Sequence, residues 1–166
     1  MIAIRLVKVA LVASMALFAL LVAYDNVVDY GSNYAFVRHT LSMDTTFRDD
    51  ALKARSITTP ALWTLAYWLI IATEAAVGLL LAVGAFRLAA ALRAEGPRFN
   101  AAKRLVVLGT GLGFLLWFTG FMVVGGEWFA MWQSKTWNGQ EAAFRFYMTL
   151  LVVLIFVNQT DGESSA

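Results

Sequence analysis

Residues 61–86 read ALWTLAYWLIIATEAAVGLLLAVGAF, a stretch in which Glu74 is the only charge. A membrane-crossing helix needs about 20 mostly apolar residues, because the hydrocarbon core is roughly 30 Å thick and a helix rises about 1.5 Å per residue. The stretch exceeds that length, is entered through Pro60, a residue that suits a first helical turn, and is followed at once by Arg87. It predicts a transmembrane helix. Three more stretches, residues 9–28, 105–124 and 142–157, are apolar enough to do the same. The expected fold is therefore all-α: a four-helix transmembrane bundle forming one domain over residues 1–157. The acidic, Ser-rich residues 158–166 are expected to be a disordered tail.

The composition agrees. With 60% hydrophobic and 14% charged residues, against about 45–50% and 25% in soluble domains, the chain has too little polar surface to cover a water-soluble globule. The absence of cysteine removes disulfides, thiolate metal sites and a cysteine nucleophile together. His39 is the only histidine, so the chain cannot supply paired axial haem ligands or a histidine cluster for zinc or copper. No metal and no cofactor is predicted, and the small net charge of +2 suggests no nucleic acid partner.

Lysine and arginine in the connections set the orientation. Arg87, Arg93, Arg98, Lys103 and Arg104 between the second and third spans face only Glu95, and Arg5 and Lys8 precede the first span. These pieces are expected on the cytoplasmic side, with both termini. The beginning resembles a secretory signal but lacks a convincing cleavage site, so it reads as a retained span. Residues 29–59 and 125–141 then form an outer cap on the far side. There Arg38, Arg48, Lys53 and Arg55 are offset by Asp29, Asp44, Asp49 and Asp50.

Glu74 lies near the middle of its span. A charge at the bilayer centre costs from about 2.5 to above 10 kcal/mol, so such a carboxyl is neutral, paired or wetted. No lysine or arginine stands at its depth in the sequence, which favours the neutral acid, with Ser14, Trp117, Thr119 and Thr149 as hydrogen-bond candidates. It reads either as structural glue, or a contact to a partner's cation, or as a proton- or ion-handling group. Gly78 and Ala82 follow at i+4 and i+8 on the same face, and Gly109, Gly113 and Gly120 mark a second small-residue face. Such faces let helix backbones approach within the chain or against another subunit.

Toward the outer side, Asp25 and Asp29 share a face if the first helix continues, and Glu141 and Arg145 repeat that spacing. Ion pairing at the interface, with Arg145 snorkelling outward or meeting Asp25 or Glu127, accounts for them. A divalent site from Asp25, Asp29, Asp44 and His39 has no ligand spacing behind it. Aromatic residues crowd the same boundary, as a belt at headgroup level requires. Residues 127–140 add more polarity than a belt needs: Trp128, Trp132 and Trp137 alternate with Gln133 and Asn138. They could cap the bundle or bind a lipid headgroup, a quinone or a partner protein.

Three segments, EWFAMWQSKTWNGQEAAFR at 127–145, YDNVVDYGSN at 24–33 and VRHTLSMD at 37–44, resemble a bacterial family of predicted small integral membrane proteins, a domain of unknown function. The resemblance implies four helices in a bacterial cytoplasmic (inner) membrane and carries over no catalytic residue. No nucleophile–base pair or nucleotide-binding loop is visible, so an enzyme is not expected. Two functions remain: an accessory, assembly or structural subunit of a larger membrane complex, or a small homo-oligomeric transporter moving ions or protons through Glu74.

Overall fold

The computed structural model describes residues 2–48 and 51–162, and every regular element among them is helical. The first crossing is α1 (Ile2–Val28), followed by α2 (Tyr30–Ser42) and a short 3-10 turn at Ala51–Arg55. α3 (Pro60–Ala90) crosses back. The third crossing begins in α4 (Gly96–Ala102), runs through α5 (Arg104–Phe114) and changes winding over Leu115–Trp128. α6 (Gln140–Asn158) is the fourth. All four are long and apolar enough to span a membrane. Each extends past the apolar stretch that marks it, because its backbone bonds to itself whether lipid or headgroups surround it.

Large apolar side chains cover the outside. Leu17, Leu79, Phe86 and Ile155 are all exposed, Phe86 at 73%. A monomer in water rarely tolerates such a contiguous apolar surface, whereas hydrocarbon solvates it. Inside, Val12, Met15, Ala16 and Ala19 line one face of α1 and pack against Val77, Leu81, Ala85 and Leu88 of α3. Ala143, Tyr147 and Leu150 of α6 complete the core, with Phe18, Trp117 and Phe146 meeting ring to ring where three helices converge.

The small residues of α3 and α5 are largely used up inside the chain. A Cβ on Gly78 would lie 2.6 Å from Leu20 Cγ, one on Gly113 2.7 Å from Leu150 Cδ1, and one on Gly109 3.1 Å from Leu80 Cβ. Ala82 is half-buried against the same core. A Cβ on Gly84, which the small-residue spacing did not include, would lie 2.9 Å from Val106 Cγ2. Gly120 does not pack within the chain: an added Cβ there would find only Leu116 of its own helix, at 3.9 Å, which leaves a contact to another subunit open at this position. From Leu115 onward the helix winds in the wider π form, closing with Phe129 N–H donating to the Val124 carbonyl. Positions counted at α-helical spacing therefore rotate off the packing face.

Asp25 and Asp29 stand one turn apart at the end of α1, the Asp29 N–H donating to the Asp25 carbonyl at 2.8 Å, and Asp29 at φ −98°, ψ 51° then turns the chain into α2. One further expectation changes. Residues 158–166 do not form a disordered tail throughout, because Gln159 to Asp161 are bound into the end of the bundle as described below. Residues 163–166 lie outside the described residues, as do Asp49 and Asp50.

Candidate functional site

Glu74 is 2% exposed and points into the bundle. The Asn26 amide on α1 donates to Glu74 Oε2 at 2.7 Å, and the Tyr67 hydroxyl, two turns before Glu74 on α3, donates to the Asn26 carbonyl at 2.6 Å. Three polar groups from two helices thus satisfy one another in a place where an unpaired one is costly. None of the partners suggested by the sequence is used. Ser14 Oγ and Thr149 Oγ1 donate to Ala10 and Arg145 carbonyls of their own helices, and Trp117 lines the wall beside the carboxyl.

The pairing with Asn26 also fixes the level of Glu74 relative to α1. Asn26 stands roughly 31 Å along α1 from Arg5 at about 1.5 Å per residue, and Arg5 bonds to the carbonyls of Leu92 and Ala94 at the opposite end of the bundle. That separation matches the roughly 30 Å hydrocarbon core. Glu74 is therefore level with the far end of α1, although it stands near the middle of α3. α3 overshoots α1, and the extra turns carry Tyr67 and Ile71 in contact with Val37 of α2.

Beside Glu74 is a cavity of about 210 Å³, walled by Asn26, Tyr67, Trp117, Phe121 and Phe146 and reaching Asn33 and Gly139 at the end of the bundle where the aromatic residues gather. Around it that aromatic end is tied together internally. His39 Nδ1 pairs with Asp44 at 2.8 Å, and its ring stacks on Trp137 at 4.7 Å. Buried Gln133 accepts from the Phe47 N–H, Ser134 accepts from Thr45, and Asn138 accepts from the Gln140 N–H at the start of α6. Trp128 and Trp132 stay half exposed, the first with Arg55 over its ring at 4.5 Å. Arg145 pairs with Glu141 on its own helix, not with Asp25 or Glu127. Asp25, Asp29 and Glu127 are exposed, and no group of three His, Asp or Glu among the described residues is arranged to hold a metal.

The opposite, basic end holds a cluster that the sequence reading missed. Arg5, Lys8 and Lys103 are 2%, 2% and 4% exposed and converge on Asp161. Lys8 and Lys103 each donate to Asp161 Oδ2 at 2.6 Å and also to the Gln159 carbonyl. Asn100 grips the Asp161 backbone from both sides, donating to its carbonyl and accepting from its N–H at 3.1 Å. Gly96 permits the approach, since a Cβ there would lie 2.5 Å from the Asp161 carbonyl oxygen. Burial opposes ionisation of Asp161, yet hydrogen bonds from Lys103 and Lys8 outweigh it and hold the carboxyl below the ordinary aspartate value. Nε and Nη2 of Arg5 donate no hydrogen bond among the described residues, Nε facing Asp161 Oδ1 at 3.6 Å as an ion pair.

No curated protein and no solved structure shows significant similarity to the chain. A family model described as predicted small integral membrane protein (DUF2165) matches residues 4–160. That match takes in both the Asn26–Glu74 pair and the cation cluster of the basic end, and the four apolar helices agree with its description. The chain belongs to the DUF2165 family of predicted small integral membrane proteins.

Proposed function

We propose that the chain is a non-enzymatic accessory or assembly subunit of a larger complex in a bacterial cytoplasmic membrane. Its termini and basic end lie in the cytoplasm, and its aromatic end docks onto the partner. The arginine-rich connection between α3 and α5 supports the orientation. The observation that carries the docking reading is the contrast within the aromatic end: Trp137, Gln133 and Ser134 are locked by internal contacts, while Trp128 and Trp132 are held half exposed on that rigid base. Exposed tryptophan on a preorganised surface is the usual anchor of a protein interface. Most of the small-residue faces leave little room for a partner, because a Cβ on Gly78, Gly109 or Gly113 would already meet side chains of the same chain, whereas Gly111 and Gly120 stay open.

A transporter built on Glu74 draws less support. Between Glu74 and the basic end, the buried face of α3 presents Val77, Leu81, Ala85 and Leu88, which offer an ion no relay. Purification in mild detergent, with particle mass measured by light scattering, tests the docking reading. The parent should elute with a stoichiometric membrane partner, and Trp128→Ala/Trp132→Ala should lose it with unchanged thermal stability. A lone particle, or a doubly substituted chain that keeps its partner, would contradict it.

A further inference from the structure

We propose that the cavity beside Glu74 is a binding site for a small organic ammonium ion. The carboxyl lines a space of about 210 Å³. It is 2% exposed, and among the described residues it makes one hydrogen bond, to Asn26, and no ion pair. The rings of Phe36, Tyr67, Trp117, Phe121 and Phe146 line the same space. A buried carboxylate surrounded by aromatic rings is complementary to one ligand class. The rings attract a diffuse cation through their quadrupoles, and the ligand would bring the positive charge that no described residue places beside the acid.

Other classes fit poorly. A divalent metal requires about six oxygen ligands, whereas this wall offers one carboxyl, the Asn26 and Asn33 amides and the Tyr67 hydroxyl, with Asn26 and Tyr67 already engaged with each other and the carboxyl. An anion would meet the carboxyl, and a neutral molecule would draw nothing from its charge. The location also suits a cation that arrives from the headgroup region. The cavity reaches Asn33 and Gly139 at the aromatic end, where Asp25 and Asp29 are exposed without an ion pair among the described residues. Exposed acids of this kind raise the local concentration of cations at an entrance. The ammonium could be free in solution or belong to an ethanolamine or choline headgroup, since both present the same chemistry.

Calorimetric titration of the detergent-purified protein with tetramethylammonium, ethanolamine and choline tests the proposal, with 3,3-dimethylbutanol as the uncharged counterpart of choline. At least one ammonium should bind saturably, at least tenfold more tightly than the uncharged counterpart. Glu74→Gln should weaken that binding at least tenfold. The comparison with 3,3-dimethylbutanol uses only the parent protein and so does not depend on the folding of any variant. Absence of saturable binding by all three ions, equal binding of the uncharged counterpart, or undiminished binding by folded Glu74→Gln would overturn it. Repeating the titration in nanodiscs distinguishes the source: competition by phosphatidylethanolamine or phosphatidylcholine, but not phosphatidylglycerol, supports a headgroup, and undiminished binding in all three supports a free ion.

Discussion

Asn26 and Glu74 meet at 2.7 Å across the interface of α1 and α3, a hydrogen bond between helices that run in opposite directions. Leaving a buried polar group without its partner costs about 1–3 kcal/mol. Asn26→Ala should therefore lower the thermal midpoint in detergent, and so should Glu74→Leu. If the two side chains stabilise each other, the double variant loses less than the sum of the single losses. Additive losses in that cycle would show that the bond contributes nothing to the fold.

The glycines separate a packing role from a spacing coincidence. Gly78→Ala and Gly113→Ala should each destabilise by about 1–3 kcal/mol, since the added methyl overlaps Leu20 or Leu150. Gly111→Ala, with nothing within 4 Å of its Cβ, should be neutral or stabilise by up to about 1 kcal/mol through helix propensity. Gly120→Ala should behave like Gly111→Ala. Unfolding midpoints of the four variants in one detergent decide the matter.

Asp161 predicts an acid-dependent loss of stability. Its carboxyl is held below the ordinary aspartate value of 3.8 in the folded chain. Its contribution is thus complete above that value and disappears as pH falls through the lower folded one. Asp161→Asn should remove this dependence. It should also destabilise the protein near neutral pH by about 3–5 kcal/mol, because Arg5, Lys8 and Lys103 then lose their buried counterion. Thermal melts of parent and variant from pH 7 down to the acid limit check both effects.

At the aromatic end, Trp137 and Trp132 should part company. Trp137→Ala removes the stack on His39 and should cost at least about 0.5–1.5 kcal/mol. Trp132→Ala, at a half-exposed position, should change stability by less than about 0.5 kcal/mol. Equal destabilisation by both would mean that the exposed ring is part of the fold and not of a docking surface.

The crossings were legible because lipid restricts composition over whole stretches, so residues 61–86 announce a helix almost without reference to the rest of the chain. Glu74 was legible for the same reason: a charge stands out where charges are scarce. Its partner was not, since Asn26 near the end of an apolar run looks like any interfacial residue until the overshoot of α3 is known. The basic cluster left no spacing signal at all. Lys8 and Asp161 are 153 residues apart and Lys103 and Asp161 58 apart, and each charge read alone belongs to a topogenic flank or a solvated tail. The π winding was invisible because the apolar pattern of residues 115–128 is nearly continuous and carries no periodicity to follow.

Docking through the aromatic end depends on four crossings with the basic end in the cytoplasm, the proposed orientation. The chain has no native cysteine, so single substitutions can be labelled on an unreactive background. Lys135→Cys and Asn138→Cys at the aromatic end, and Arg93→Cys and Arg98→Cys at the basic end, all replace exposed residues. A membrane-impermeant maleimide added to intact spheroplasts should label the first pair and reach the second only after the membrane is opened. Labelling of both pairs in sealed spheroplasts, or of the basic pair alone, would contradict it.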